Sequence, residues 1–125
     1  MIDIDKQIAF WRDGAKEDWG VARDLVGRRR VRHGLFFAHL ALEKALKAIV
    51  CRKTHDIAPR LHNLVRLVDL AKLELQPSQL DVLAEMNSFS IEGRYPDALS
   101  SPPSHEEALG YLNRAEGVLR WLIHL

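Results

Sequence analysis

The stretch that most constrains the fold is HGLFFAHLALEKALKAIVCR, residues 33–52. It contains no proline, and its only glycine stands at its second position. At about 100° per residue, its apolar residues cover roughly half of a helix circumference, which is wider than the stripe of an ordinary surface helix. We therefore predict a central helix that packs against neighbours on at least two sides.

The polar residues of this helix collect on the other side, and they are His39, Glu43, Lys44 and Lys47. Glu43 and Lys47 stand four residues apart with the acid first, an order that contributes a few tenths of a kcal/mol, about 0.2–0.5, to a helix. Cys51 falls within the same pattern, and we interpret it as a small core residue rather than as a nucleophile.

The composition describes an ordinary globular chain. Its 125 residues favour a single domain, 1–125, and its net charge of +1 argues against a strongly basic or acidic partner surface. One cysteine allows no intramolecular disulfide, which is typical of a reducing cytoplasm. No apolar run approaches the ~20 residues of a membrane span, and the acidic, charge-broken start MIDIDKQIAF does not resemble a signal peptide. We expect a cytoplasmic protein.

Helical periodicity continues through the rest of the chain, and we find no convincing alternating strand pattern. Asp3, Pro77 and the Ser104–Glu107 capping box are start signals, and Gly27 is a stop signal. The predicted helices span residues 4–26, a central helix ending near residue 53, residues 61–73, residues 77–90, and a last helix after residue 104. The predicted fold is an all-α, up-and-down bundle of four long helices plus a shorter one.

A basic run, Arg28-Arg29-Arg30-Val31-Arg32-His33, joins the first two helices. It is either a solvated turn or a phosphate-binding patch. Cations at a helix N-terminus oppose the helix dipole, and a bound anion would relieve this by less than ~1 kcal/mol at an exposed site. Both interpretations stay open.

A second candidate segment is Arg94-Tyr95-Pro96-Asp97. Pro96 cannot continue a helix and pushes Tyr95 toward an extended conformation. Either an Arg94–Asp97 pair only locks this turn, or Arg94 binds phosphate and Tyr95 stacks on or hydrogen-bonds a nucleotide. The histidines lack metal-site spacing, and no phosphate-loop or dinucleotide motif occurs, so we predict neither metal nor cofactor.

The order of several segments resembles the HEPN family (higher eukaryotes and prokaryotes nucleotide-binding). The resemblance covers nearly the whole chain and includes FFAHLALEKALKAIV, the Arg60-Leu61-His62-Asn63-Leu64 stretch, Arg94 to Asp97, and a last helix with Ala115-Glu116 and Trp121. It is strongest with small bacterial and archaeal members that carry an Arg-Tyr-Pro motif and are similar to the partners of minimal nucleotidyltransferases in toxin–antitoxin-like modules. It implies a helical bundle that dimerises, with paired sites facing each other across the interface.

Many HEPN proteins are metal-independent endoribonucleases with an Arg-x4-6-His motif. In that chemistry, the His serves as general base toward the ribose 2′-OH and the Arg stabilises the phosphorane. Arg94 stands where the motif Arg is expected, but the next histidine is His105, after ten intervening residues. Two matches elsewhere, Arg28 with His33 and Arg32 with His39, are about as many as chance produces.

The resemblance and the Arg-Tyr-Pro-Asp turn together predict a dimeric protein that binds a nucleotide or RNA, or docks on a nucleotidyltransferase. Arg94 would contact the anion, Tyr95 would stack on the ligand or receive a nucleotidyl group, and Asp97 would orient Arg94. A backbone-phosphate track would add Arg28, Arg29, Arg30 and Arg32. One alternative is an endoribonuclease in which Arg94 acts with Tyr95 or with His62 or His105. The other is a purely structural helical subunit.

Overall fold

The computed structural model describes residues 2–90 and 101–125. Its helices are α1 (Ile4–Gly27), α2 (Val31–Thr54), α3 (Leu64–Ala71), α4 (Pro77–Met86) and α5 (His105–Ile123). α2 contacts each of the other four, so it is the central helix that the sequence predicts. These two ranges contain no strand, and the predicted all-helical bundle is confirmed.

The starts of the helices follow local chemistry. The Asp3 carboxylate accepts the backbone N–H of Lys6 at 3.2 Å, and Pro77 is the first residue of α4. At the start of α5, the Ser104 hydroxyl accepts the N–H of Glu107 at 3.1 Å, while the Glu107 carboxylate accepts the N–H of Ser104 at 2.9 Å. All three predicted starts are confirmed, because a cap satisfies N–H groups only two or three residues away.

The third helix is shorter than predicted, and the fourth, predicted for residues 77–90, is interrupted at Asn87 before residues 88–90 are again helical. The Asn63 side chain accepts the N–H groups of Val65 and Arg66, so α3 begins at Leu64 rather than at residue 61. After α4 ends at Met86, the Asn87 side chain accepts the N–H of Leu64 at 2.8 Å and donates to the Asn63 side chain at 3.2 Å. This link between two helix ends decides both boundaries.

The α1–α2 pair forms the tightest contact of the core. A Cβ atom at Gly34 would lie 2.9 Å from the backbone nitrogen of Val26 and 3.1 Å from the carbonyl oxygen of Ala22, so only glycine permits this crossing. The rest of the interface consists of buried small and aliphatic residues at helical spacing, which supply the apolar burial that stabilises the bundle. They include Ala15, Ala22 and Val26 on α1 and Leu35, Ala38, Leu42, Ala45 and Ile49 on α2.

Two contacts set the direction of α5. The Arg52 guanidinium near the end of α2 donates to the carbonyl oxygen of Leu125 at 3.0 Å, so α2 and α5 end on the same side. Because α1 and α2 are consecutive helices joined by a short turn, α5 runs antiparallel to α1. The Trp19 indole N–H on α1 donates to the Glu116 carboxylate on α5 at 3.2 Å.

Among the described residues, no helix combines the length and the apolar character needed to cross a membrane.

Candidate functional site

The segment Arg94, Tyr95, Pro96 and Asp97 lies outside the described residues. The roles assigned to Arg94, Tyr95 and Asp97 therefore stay predictions. The described residues contain two other clusters of chemically active side chains. One lies in the turn before α2, and the other lies near the middle of α2.

The first cluster is the basic turn, Arg28–Arg30, between α1 and α2. All three arginines are exposed, and Arg29 adopts the left-handed region with a φ of 64°. Arg28 forms an ion pair with Asp24 at 3.3 Å. Arg32, one residue into α2, is only partly exposed. The structure thus brings three of the four predicted track residues together at one exposed turn.

The start of α2 adds to the positive potential of the basic turn. Arg30 occupies the N-cap position, where it makes no side-chain capping hydrogen bond, and the first turn of α2 contains no acidic residue. Within residues 2–90 and 101–125, no acidic side chain pairs with Arg29 or Arg30. Helix N-termini favour negative charge by about 0.3–1 kcal/mol, so an anion bound here would gain from both the arginines and the helix.

The second cluster, the Glu43 cluster, consists of His39, Glu43, Lys47 and His62. One Glu43 oxygen accepts from the Lys47 ammonium at 2.9 Å, and the other lies 3.1 Å from Nδ1 of His62. The His39 Nε2 donates to the carbonyl oxygen of His62 at 3.0 Å. The Lys47 ammonium also lies 5.2 Å from the centre of the Trp11 ring. The cluster therefore connects α1, α2 and the residues before α3.

The polar side that the sequence assigns to α2 is largely buried. The Glu43 and Lys47 side chains are only 4% and 6% exposed, and His39 is fully buried. Trp11 and the residues that precede α3 cover this side of α2. A surface ion pair contributes little, whereas a buried pair becomes costly when one partner is removed. The signal in the sequence was the strict four-residue spacing of 39, 43 and 47 within an otherwise apolar helix.

The His62 ring reaches solvent, whereas its carboxylate partner is buried. The Glu43 carboxylate can only accept, so in neutral His62 the proton resides on Nδ1 and the lone pair on Nε2. The His62 side chain is 51% exposed. A carboxylate that hydrogen-bonds one imidazole nitrogen and orients the ring is also found beside the histidine of the Ser-His-Asp triad, which acts as a general base.

The remaining polar groups of the interior have structural roles. The Lys44 ammonium on α2 pairs with the Asp18 carboxylate on α1 at 2.8 Å. Burial raises the pKa of the Cys51 thiol, which keeps this side chain protonated and unreactive, in agreement with its interpretation as a core residue. Among the described residues, no three His, Cys, Asp or Glu side chains are arranged to hold a metal ion.

The chain is thus a small helical bundle whose central helix follows an exposed basic turn and carries a buried carboxylate. A sequence profile described as the HEPN domain matches residues 8–125. The chain belongs to the HEPN family. This family includes nucleotide- or RNA-binding and nuclease-like members.

Two solved structures share the fold. The crystal structure of TT1696 from Thermus thermophilus is 22% identical, with a TM-score of 0.77, and the alignment covers 93% of this chain and 95% of that one. The crystal structure of ST0689, an archaeal HEPN homologue, is also 22% identical, with a TM-score of 0.71 and coverages of 92% and 93%. No curated protein matches the chain in sequence. At this identity, the two likenesses establish the fold.

Proposed function

We propose that this chain is a dimeric, cytoplasmic HEPN protein that binds a nucleotide or RNA and acts as the accessory partner of a minimal nucleotidyltransferase in a toxin–antitoxin-like module. The observation that supports binding is the basic turn, where three exposed arginines precede the uncapped start of α2. Family membership supports the ligand class.

The basic turn suits phosphate for two reasons. Guanidinium groups bind phosphate oxygens in a bidentate way, whereas a turn that only faces solvent has no need of three arginines. Arg30 also occupies a position where Ser, Thr, Asp or Asn would stabilise the helix. Arginine at this position stabilises the helix less than those residues would, and phosphate binding gives a reason for its presence.

In this proposal, Arg94 contacts an anion, Tyr95 stacks on or positions the ligand, and Asp97 orients Arg94. Tyr95 is also the proposed acceptor if the partner transfers a nucleotidyl group to this chain. A neighbouring gene that encodes a Gly-Ser motif followed by Asp-x-Asp would support the two-gene module, and light scattering of the purified protein tests the dimer.

The binding test is fluorescence anisotropy with a single-stranded RNA over a series of salt concentrations. The variant Arg29→Gln with Arg30→Gln should weaken binding and reduce the slope of log affinity against log salt by about 1.4, since each phosphate contact to a single strand contributes ~0.7. Arg66→Gln, an exposed arginine on α3, is the matched control. The proposal would be contradicted by RNA binding that does not depend on salt. It would also be contradicted if Arg66→Gln weakened binding as much as the double variant does.

A second candidate function is metal-independent RNA cleavage, which the Glu43–His62 pair favours. His62 would accept the 2′-hydroxyl proton, and Arg94 would stabilise the phosphorane. The test is cleavage of RNA in the presence of a chelator by wild type, His62→Asn and Arg94→Ala. The control is His55→Asn, because His55 is exposed and has a φ of 55° that asparagine tolerates. If His62→Asn and Arg94→Ala abolish cleavage and His55→Asn does not, the chain is an endoribonuclease rather than a binding protein.

The third candidate, a purely structural subunit, makes the opposite prediction for Arg94. In that case Arg94→Ala lowers the free energy of unfolding and leaves nucleotide and RNA binding unchanged. Denaturant unfolding and the anisotropy assay on the same preparation therefore distinguish it from the other two.

A further inference from the structure

The outward side of α1 carries two exposed apolar side chains in one line. Phe10 is 64% exposed, the largest fraction among the exposed large apolar residues of the described chain, and Val21 is 36% exposed. They stand eleven residues apart, which at about 100° per residue places both on the same side of the helix. Asp18 and Trp19, which bind α2 and α5, lie roughly 80° and 180° around the helix from Phe10. The line therefore faces away from the bundle.

Charged residues extend this line toward both ends of α1. The whole line, which we call the α1 stripe, consists of Asp3, Lys6, Phe10, Gly14, Glu17, Val21, Asp24 and Arg28. Every member is exposed except Gly14, which is partly exposed. At each end of the stripe the acid comes before the base. A parallel pair of such stripes would set like charges against each other, whereas an antiparallel pair sets each acid against a base.

The spacing makes the stripe complementary to its own reverse. Asp3 precedes Phe10 by seven residues, and Arg28 follows Val21 by seven. If Phe10 packs on Val21 of an antiparallel copy, Asp3 therefore lies opposite the partner's Arg28. In the same register Lys6 lies within one residue of the partner's Asp24. Apolar contact and opposite charges thus coincide in one register.

The centre of the stripe permits close approach. In this register Gly14 lies opposite the partner's Glu17. Gly14 has no side chain, and a Cβ atom there would lie 3.1 Å from Cδ and 3.5 Å from the ammonium nitrogen of Lys44. The Lys44 side chain is 26% exposed and pairs with Asp18. A carboxylate over Gly14 would therefore meet a cation, so Glu17 is also complementary to what it faces.

We propose that the α1 stripe binds a second copy of this chain as an antiparallel pair of α1 helices, with Phe10 of each protomer on Val21 of the other. The inference rests on the proposed dimer and gives it an interface and a register. Arg29 and Arg30 lie beyond the stripe and stay available to phosphate. A contact between two single helices is small, below about 1,200 Å², so we expect a reversible dimer that dissociates on dilution.

Other exposed apolar residues do not form such a line. Leu70 on α3 and Leu109 on α5 are each the one exposed large apolar residue of their helix within the described residues. Apolar residues scattered singly over a surface are ordinary. They therefore provide matched controls rather than a competing interface.

The first test is sedimentation velocity over a dilution series. Phe10→Asp should raise the dissociation constant of the dimer about tenfold or more, because it places a carboxylate in the apolar part of the contact. Leu70→Asp, the same kind of change on α3, should leave the constant unchanged. Both side chains are exposed, so both variants should keep the helical circular dichroism of the wild type.

A charge exchange tests the register. Lys6→Glu alone and Asp24→Lys alone should each weaken the dimer by up to about fivefold at low salt, as expected for exposed ion pairs. The double variant restores an opposite pair at both symmetric positions and should return to wild-type affinity. Additive losses in the double variant would contradict the register.

Disulfide cross-linking tests the geometry directly. In the proposed register the two copies of residue 17 lie about one helical turn apart, close to the twofold axis. Glu17→Cys should therefore form a disulfide-linked dimer in oxidised glutathione. Lys16→Cys, which is exposed on another side of α1, should not. Cys51 is buried and stays unreactive in both variants.

The outcomes separate this inference from the proposed function. A dimer that Phe10→Asp does not weaken, or that links through residue 16 as readily as through residue 17, would overturn the α1 interface alone. The proposed dimer would then use another surface. A wild type that stays monomeric at every concentration would overturn both the interface and the dimer, while salt-dependent RNA binding would still support the binding function.

Discussion

The basic turn and the Glu43 cluster both place several charges at α2, but they differ in burial. The arginines of the basic turn are exposed, and the pair it forms, Arg28 with Asp24, is solvated. In the Glu43 cluster, each carboxylate oxygen has a partner within 3.1 Å, and the carboxylate itself is buried. The two regions show that charges close together in the chain divide into buried pairs and exposed groups, according to what packs over them.

Removing Glu43 should produce the largest effect. Glu43→Ala leaves the buried Lys47 ammonium without its carboxylate, and breaking a buried pair in this way costs about 3–5 kcal/mol. Denaturant unfolding measures the loss. Asp24→Ala, which breaks the exposed pair with Arg28, should change stability by less than ~1 kcal/mol. Similar losses in the two variants would contradict the contrast between the two regions.

Gly34 lies between the two regions, and the close crossing of α1 and α2 depends on it. Gly34→Ala should lower the free energy of unfolding by about 1–3 kcal/mol, because the added methyl group would overlap Val26 and force α1 and α2 apart. Thermal unfolding followed by circular dichroism is the measurement. Gly20→Ala is the matched change on α1 at an open position, where helix propensity predicts a gain of up to ~1 kcal/mol. A loss at Gly20 as large as that at Gly34 would mean that close packing is not the cause.

The N-cap of α2 offers a sharper test of the basic turn. Arg30→Ser supplies the missing cap and should raise stability by about 0.5–1 kcal/mol. If Arg30 contacts phosphate, the same variant should weaken RNA binding and lower the salt slope by ~0.7. The mirror change at α5, Ser104→Arg, removes an existing cap and should lower stability. Arg30→Ser with unchanged RNA affinity would remove Arg30 from the proposed track.

The smallest effect should come from acid titration of the α5 cap. Hydrogen bonds from the backbone and then the side chain of Ser104 lower the pKa of Glu107 below its ordinary value of 4.5. Its contribution to stability is therefore complete above pH 4.5 and is lost as the pH falls through the lower, folded-state pKa. Glu107→Gln should melt at a lower temperature than wild type at neutral pH, and the difference should shrink in acid. A difference that stays constant with pH would show that this carboxylate does not titrate with folding.

Local signals in the sequence predicted the helix starts at Asp3, Pro77 and Ser104, because capping involves atoms within one turn. The same approach misjudged where α3 begins and missed the interruption of the fourth helix at Asn87. Those boundaries depend on the hydrogen bonds between Asn63, Asn87 and Leu64, whose partners are more than twenty residues apart. Likewise, the basic turn was recognisable as an arginine run, whereas the hydrogen bond from Trp19 on α1 to Glu116 on α5 forms only when the two helices pack.

The sequence alone determined that this chain is helical, that residues near 33–52 form its centre, and that its motifs place it with the HEPN proteins. Periodicity and composition suffice for the first two conclusions because they depend on residues close together in the chain, whereas the third rests on the resemblance of its motifs to that family. Only the tertiary structure decided that His39, Glu43 and Lys47 are buried and that His62 completes their hydrogen bonds. Periodicity reports the direction of a side chain around its helix axis, but the neighbouring helices and the residues before α3 determine whether that direction leads to water or to the interior.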